Sequence, residues 1–194
     1  MIKKFQVKEA KVIKGLYEIT PFSSEDERGA FVKDYSYELL MQNNILYELQ
    51  EVFYTYSRKG VVRALHFQRT PQQGKLVRCI SGKIYDVVVD LCPNSSSFLK
   101  YETFLLSGQN RKALMIPSHC AHGYLVLEES VVSYKCDQCF NSETDDGIYW
   151  LDSSLKIDWP LHLLGDTEPI LSEKDKNLQS LTNFLQKYGG LRNA

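Results

Sequence analysis

The sequence predicts a mainly-β protein, a sandwich or barrel of short strands with a helix at its C-terminal end. Three observations carry this. Strand-like runs recur between residues 12 and 135, separated by turn residues at short intervals. Val87 to Leu91 reads VVVDL, and its unbroken β-branched start is the pattern of a strand buried on both faces. Past residue 171 the apolar residues change to helical spacing, at Leu178, Leu181, Phe184 and Leu185.

Composition sets the outer bounds. With 194 residues, 43% of them hydrophobic, the chain can fill one sizeable core, so residues 1–194 are expected to form a single domain. Its 23 basic and 24 acidic residues give a net charge of −1, which argues against nucleic acid or an anionic membrane as partner. No apolar run approaches the ~20 residues of a membrane span, and MIKKFQVKEAKVIKG lacks an apolar leader, so a cytoplasmic protein is expected. Five cysteines (Cys79, Cys92, Cys120, Cys136, Cys139) in a chain of this size read as reduced, mostly buried thiols. Cys136-Asp-Gln-Cys139 has C-x-x-C spacing, but no second pair completes a zinc site and no βαβ pattern surrounds it.

In chain order, Val12–Thr20 reads as a strand and Pro21–Gly29 as a loop ending in an arginine-glycine turn. Phe31–Tyr35 resumes a strand. Ser36–Asn44 is a short helix with Ser36 as N-cap and the asparagine pair as its stop. Leu46–Ser57 is aromatic and alternating. Val61–Gln68 is a strand with Val62, Ala64, His66 and Gln68 on one face and Val61, Arg63, Leu65 and Phe67 on the other. Lys75–Ile80, a Ser81-Gly82 hairpin turn and Lys83–Leu91 follow, which makes three consecutive strands a meander. Tyr101–Leu106, Lys112–Ile116, Gly123–Leu127 and Val131–Lys135 are further strands. Ser172–Tyr188 is the closing helix, with a Ser172/Asp175 capping box and Gly189-Gly190 as its stop.

Four residues in the central strands are ones a core would not choose: Arg63, His66, Gln68 and Lys75. Together with the segments DERGAF (26–31), RALHFQ (63–68), GKLVRCISGKIYDVVVDL (74–91), SFLKY (97–101), IPSHCAHGY (116–124), YKC (134–136), IDWP (157–160) and LSEKD (171–175), they carry a resemblance. Dispersed over residues 10–175 in the right order, these segments closely resemble the dTDP-4-dehydrorhamnose 3,5-epimerases. The resemblance implies a cupin-like jelly roll, the double-stranded β-helix, usually a homodimer. It implies an isomerase of surface-polysaccharide sugar biosynthesis that needs no metal or other cofactor. The substrate it implies is a nucleotide-diphosphate 4-keto-6-deoxy sugar.

The resemblance also implies the roles. A ketone at C4 acidifies the hydrogens at C3 and C5, so one base can remove either, and reprotonation from the opposite face inverts the centre. His66 matches the base, Asp175 the carboxylate that orients it, Lys75 the partner of the enolate oxygen and Tyr134 the acid across the ring. Arg28, Phe31, Gln50, Arg63, Gln68 and His122 match positions around the sugar and diphosphate, where a guanidinium suits a phosphate. His119 is a bystander on this pattern. Read without the resemblance, each residue has a plainer role: His66 a hydrogen-bonded strand histidine, Asp175 a helix cap, Tyr134 a core aromatic, Lys75 an edge-strand lysine, Arg28 a solvated loop charge.

The chain departs from the family pattern at two places. Arg63-Ala-Leu-His66 replaces R-G-L-H, which puts an extra methyl near the base. Val52 and Phe53 stand where polar groups are expected. Strict alternation also places Arg63 and His66 on opposite faces, and a bulge would reconcile them. A single-centre epimerase on a GDP- or CDP-linked 4-keto hexose or heptose is the neighbouring reading, and two rivals of other classes stand beside the epimerase. A metal-dependent cupin calls for an H-x-H and a carboxylate, where His66-Phe67-Gln68 offers one imidazole. A non-catalytic sugar-nucleotide-binding cupin would not need all four catalytic residue types.

Overall fold

Two long antiparallel strands run through the centre of the protein, shown here by a computed structural model that describes residues 1–192. In chain order the elements are β1 (Ile2–Lys3), β2 (Gln6–Glu9), β3 (Tyr17–Thr20), β4 (Ser23–Asp26), β5 (Gly29–Val32), α1 (Tyr37–Met41) and β6 (Glu51–Ser57). Then follow β7 (Val62–Gln68), β8 (Lys75–Asp90), β9 (Tyr101–Ser107), β10 (Ala113–Ile116), β11 (Cys120–Cys136), β12 (Asp145–Gly147), α2 (Glu173–Lys176) and α3 (Leu181–Tyr188). Strands β8 and β11 pair along their whole lengths. The first half of β8 also pairs with β10 and its second half with β9. The first half of β11 pairs with β7 and its second half with β6. Two sheets that share a pair of bent strands make the cupin-like jelly roll, and a small separate sheet, β1-β4-β5, stands apart from it.

Three features differ from the local reading of the sequence. Ser81-Gly82 is not a hairpin turn, because β8 continues through it. Gly82 has φ +77°, and a Cβ there would lie 2.0 Å from the Glu129 carbonyl oxygen, so only glycine lets the two strands bend together at this point. The meander is absent too, since β7 pairs with β11 and β12 instead of β8. The long helix is two short ones, α2 and α3, each with its own serine N-cap: Ser172 accepts from the Asp175 N–H and Ser180 from the Asn183 N–H. Gly189, with φ +72°, stops α3 as a left-handed C-terminal residue. At the N-terminus the strand is shorter than Val12–Thr20, and β2 pairs with the edge of β3.

Apolar packing divides into an interior and two outer layers. The interior, between the two sheets, holds Val77, Ile84, Val88, Leu114, Tyr124, Val126, Val132 and Tyr134. One outer layer packs β7 and the far face of β8 against Trp150, Trp159, Leu181 and Phe184. The other lies under α1, between Leu40, Ile45 and Tyr47 and the strands β3 and β10. Burying such side chains contributes about 1.5–3 kcal/mol each. All five cysteines are free, four of them buried and Cys139 exposed. Among the described residues no helix is long and apolar enough to cross a membrane.

Candidate active site

The site is built where β7 departs from alternation. Between the paired residues His122↔His66 and Tyr124↔Arg63, β7 uses one residue more than β11. That extra residue is a bulge, and it changes which side chains share a face. Val62, Ala64, Leu65 and Phe67 all enter the outer core, while Arg63 and His66 are left half-buried outside it. The expected face of Val62, Ala64, His66 and Gln68 is therefore broken after Ala64. Ala64 itself is fully buried, and it lies so close to Gly123 that a Cβ on Gly123 would come within 2.3 Å of its own Cβ. The extra methyl fills a contact between β7 and β11 and belongs to the outer core.

His66 Nε2 lies 2.6 Å from Asp175 Oδ1. The two come from residues 109 apart in the chain, and the short helix α2 turns the carboxylate towards β7. Asp175 also fills its capping place, since its backbone N–H donates to Ser172 Oγ at 3.1 Å. The side chain of Asp175 is 5% exposed and that of His66 29% exposed, so the pair has a dry end and an open end. A short contact of this kind between an imidazole and a buried carboxylate fixes the orientation of the ring and the nitrogen that faces the open end.

Beside His66 on β11, His122 Nε2 lies 2.8 Å from Asp86 Oδ2, and both side chains are almost wholly buried. Asp86 Oδ1 has no partner among the described residues. The sequence reading missed Asp86, although a charge inside a strand buried on both faces calls for a partner and was the available signal. The His122 and Tyr134 rings meet edge to face at 5.9 Å. Tyr134 is stacked on Phe53, its register partner on β6, at 4.7 Å and 10° between planes. Burial pushes the Tyr134 phenol well above its ordinary pKa, helped by neighbouring Tyr124 and Asp86 and opposed by Arg63. It is therefore a protonated acid at neutral pH. Lys75 opposes Cys136 two positions along from the Val77–Tyr134 pair and points to the same interior. Burial pulls the Lys75 ammonium below its ordinary pKa, against the pull of Cys136, Asp137 and Asp145.

These residues form one constellation, and its relatives are known. Residues 10–183 match the model of the family described as dTDP-4-dehydrorhamnose 3,5-epimerase. The chain belongs to this family. It is an isomerase of the epimerase type. The dTDP-4-dehydrorhamnose 3,5-epimerase of Methanothermobacter thermautotrophicus is 42% identical over 164 residues, 84% of this chain and 88% of that one. That of Escherichia coli K12 is 39% identical over 165 residues, covering 83% and 86%. Among solved structures, the dTDP-6-deoxy-D-glucose-3,5-epimerase of Legionella pneumophila in complex with dTDP-4-keto-L-rhamnose superposes with a TM-score of 0.90 at 32% identity. That match covers 98% of this chain and all of the other.

The remaining epimerase positions are spread differently. Arg63 donates from Nε to Ser57 Oγ at 3.0 Å and stays near the Tyr134 end of the site. Gln50 is exposed beside a cleft of 470 Å³ that Pro71 and residues 138–143 also line. Gln68 is buried, and its amide is taken up by backbone. It donates to the Pro71 and Cys139 carbonyls at 2.7 and 3.2 Å and accepts from the Asn141 N–H at 2.8 Å. Its position is that of a clasp between two loops. Arg28 and Phe31 are not brought to His66 within this chain. They lie on the separate β1-β4-β5 sheet, where Arg28 pairs with Asp26 at 2.6 Å and Phe31 is 60% exposed.

Proposed function

We propose that this epimerase inverts both C3 and C5 of a dTDP-linked 4-keto-6-deoxyhexose. The observation that carries the reading is the His66–Asp175 contact of 2.6 Å, with the Tyr134 phenol and the Lys75 ammonium facing the same interior. His66 Nε2 is tied to the carboxylate, so Nδ1 is the atom that takes the proton from C5 or C3. The electron pair released moves into the ring and onto the C4 oxygen, where the Lys75 ammonium stabilises the enolate. Tyr134 then gives its proton to the opposite face of the carbon, and solvent restores both groups. His122, held by Asp86, donates to a ring hydroxyl or to the enolate oxygen. Arg63 supplies a guanidinium for the diphosphate.

The same reading takes the enzyme as a homodimer in the cytoplasm. Five free thiols fit a reducing compartment. Phe31 on its projecting sheet and the exposed Val52, Tyr54 and Tyr56 of β6 are apolar surface suited to a second copy. An arm reaching across the dimer would carry Arg28 and Phe31 to the partner's site. The deciding experiment incubates the enzyme with dTDP-4-keto-6-deoxyglucose in deuterium oxide and follows C3 and C5 by NMR. Deuterium with inversion at both carbons is expected, and no exchange at either one would refute the reading. Light scattering checks the dimer.

A further inference from the structure

We propose that Asp90, His119 and Cys120 form a binding site for one divalent transition metal, with zinc the ion they match best, which ties the end of β8 to the start of β11. The three donor atoms lie within 4.8 Å of one another, and all three residues are buried. Carboxylate, imidazole and thiol together are a donor set of borderline softness, the kind zinc selects over magnesium or calcium. Bonds of about 2.0–2.3 Å in a tetrahedron put donors about 3.3–3.7 Å apart. The site therefore has to contract by roughly 1 Å. His119 sits on the turn before β11, closed by the Cys120 N–H to the Pro117 carbonyl at 3.1 Å, so a rotation of its side chain is the movement the site requires.

The surroundings of Asp90 are those of a ligand. Its Oδ1 accepts from the Cys92 N–H at 2.8 Å and its Oδ2 from the Ser97 hydroxyl at 2.7 Å, which fixes the carboxylate and leaves a lone pair on each oxygen. Without a cation the carboxylate is poorly compensated. It is fully buried, and His119 Nε2, its only ion-pair neighbour among the described residues, stands 4.0 Å away, beyond hydrogen-bond reach. A divalent ion enters as Cys120 loses its thiol proton to solvent, so carboxylate, thiolate and metal sum to zero charge. A neutral complex is the one that a dry interior tolerates.

His119 gives the site its access, for it lines a cavity of 540 Å³ with Tyr47, Gly74, Pro117, Ser118 and Asp137. The fourth coordination position is left for water from this cavity. The site borders the catalytic one, since Cys120 packs in the same interior cluster as Tyr134. Cys120 is two residues before His122 on β11, about 7 Å along the strand, and none of its three ligands is among the proposed catalytic groups.

The test uses cobalt as a coloured stand-in for zinc. Enzyme dialysed against a chelator is titrated with Co²⁺ alone. One equivalent per chain is expected, with a thiolate-to-cobalt charge-transfer band and tetrahedral visible bands that Zn²⁺ then bleaches. Cys120→Ser should lose the charge-transfer band, and His119→Gln should weaken binding by at least about 10-fold. Zinc should raise the thermal midpoint of the wild type and leave that of His119→Gln unchanged. No stoichiometric Co²⁺ would overturn the proposal. So would a band that survives Cys120→Ser and disappears in Cys139→Ser, which would assign the metal to the Cys136/Cys139 pair. If Cys120→Ser does not fold, His119→Gln decides, and wild-type affinity there overturns it.

Discussion

Replacing Asp175 by asparagine keeps the shape of the His66 contact and removes its charge. With charge centres about 4 Å apart and an effective dielectric of about 20, the attraction between imidazolium and carboxylate is about 4 kcal/mol. Asparagine still accepts a hydrogen bond, and the open side of His66 is wetted, so about 3–4 kcal/mol is the expected loss in the transition state. At 1.36 kcal/mol per factor of ten, turnover should fall about 10²–10³-fold. KM should stay within about threefold, because the imidazole becomes charged only as the proton moves. The cap is not disturbed, since Ser172 bonds the backbone N–H of residue 175 and not its side chain. Loss of the charge beside the first turn of α2 costs only about 0.3–1 kcal/mol of stability. The assay is the rate of C5 hydrogen exchange into deuterium oxide at saturating substrate, with thermal unfolding measured on the same samples. Wild-type exchange in Asp175→Asn would refute the assignment of Asp175 as the residue that orients and charges the base.

Three further outcomes are expected. Because burial lowers the Lys75 pKa and the ammonium is the active form, the alkaline limb of kcat should fall below the ~10.4 of an ordinary lysine. The same depressed pKa means that stability rises with pH from the folded value up to that of the unfolded chain, and Lys75→Met should flatten both the stability rise and the rate limb. Tyr134→Phe should still exchange the C5 hydrogen through His66 but form little inverted product; inversion at the wild-type rate would return Tyr134 to the role of a strand aromatic. Gln68→Ala, which unties the 71 and 139–141 loops, should cost about 1–3 kcal/mol in chemical denaturation with no change in KM, whereas a raised KM at unchanged stability would make it a substrate contact.

Much of the candidate site was legible in residue types, because chemistry that breaks a carbon–hydrogen bond needs groups a core avoids. His66 and Lys75 stand out inside apolar strands, and segments such as IPSHCAHGY and LSEKD carry the family likeness. Asp86 was passed over, hidden beside the valine run of its own strand. The loop contacts of Gln68 were not legible, since the loops that take its amide are brought to it by folding.

The sequence alone determined what depends on neighbours a few residues away. Ser36 and Ser172 cap helices, Gly189 ends one, and β7, β9 and β10 lie close to where alternation puts them, because caps and pleats are local geometry. Tertiary structure decided the rest. Ser81-Gly82 satisfies a hairpin turn and a bend in a long strand equally well, and the pairing of Ser81 with Val131 and Lys83 with Glu128 selects the bend. Leucine spacing alone reads one helix from 172 to 188, but Asp175 faces β7 while Leu181 and Phe184 fill the outer core, and the chain breaks between them to do both. Arg63 and His66 both stay out of the outer core because β7 slips one residue against β11. Strand register is set by a partner dozens of residues distant, and that is information a local period does not hold.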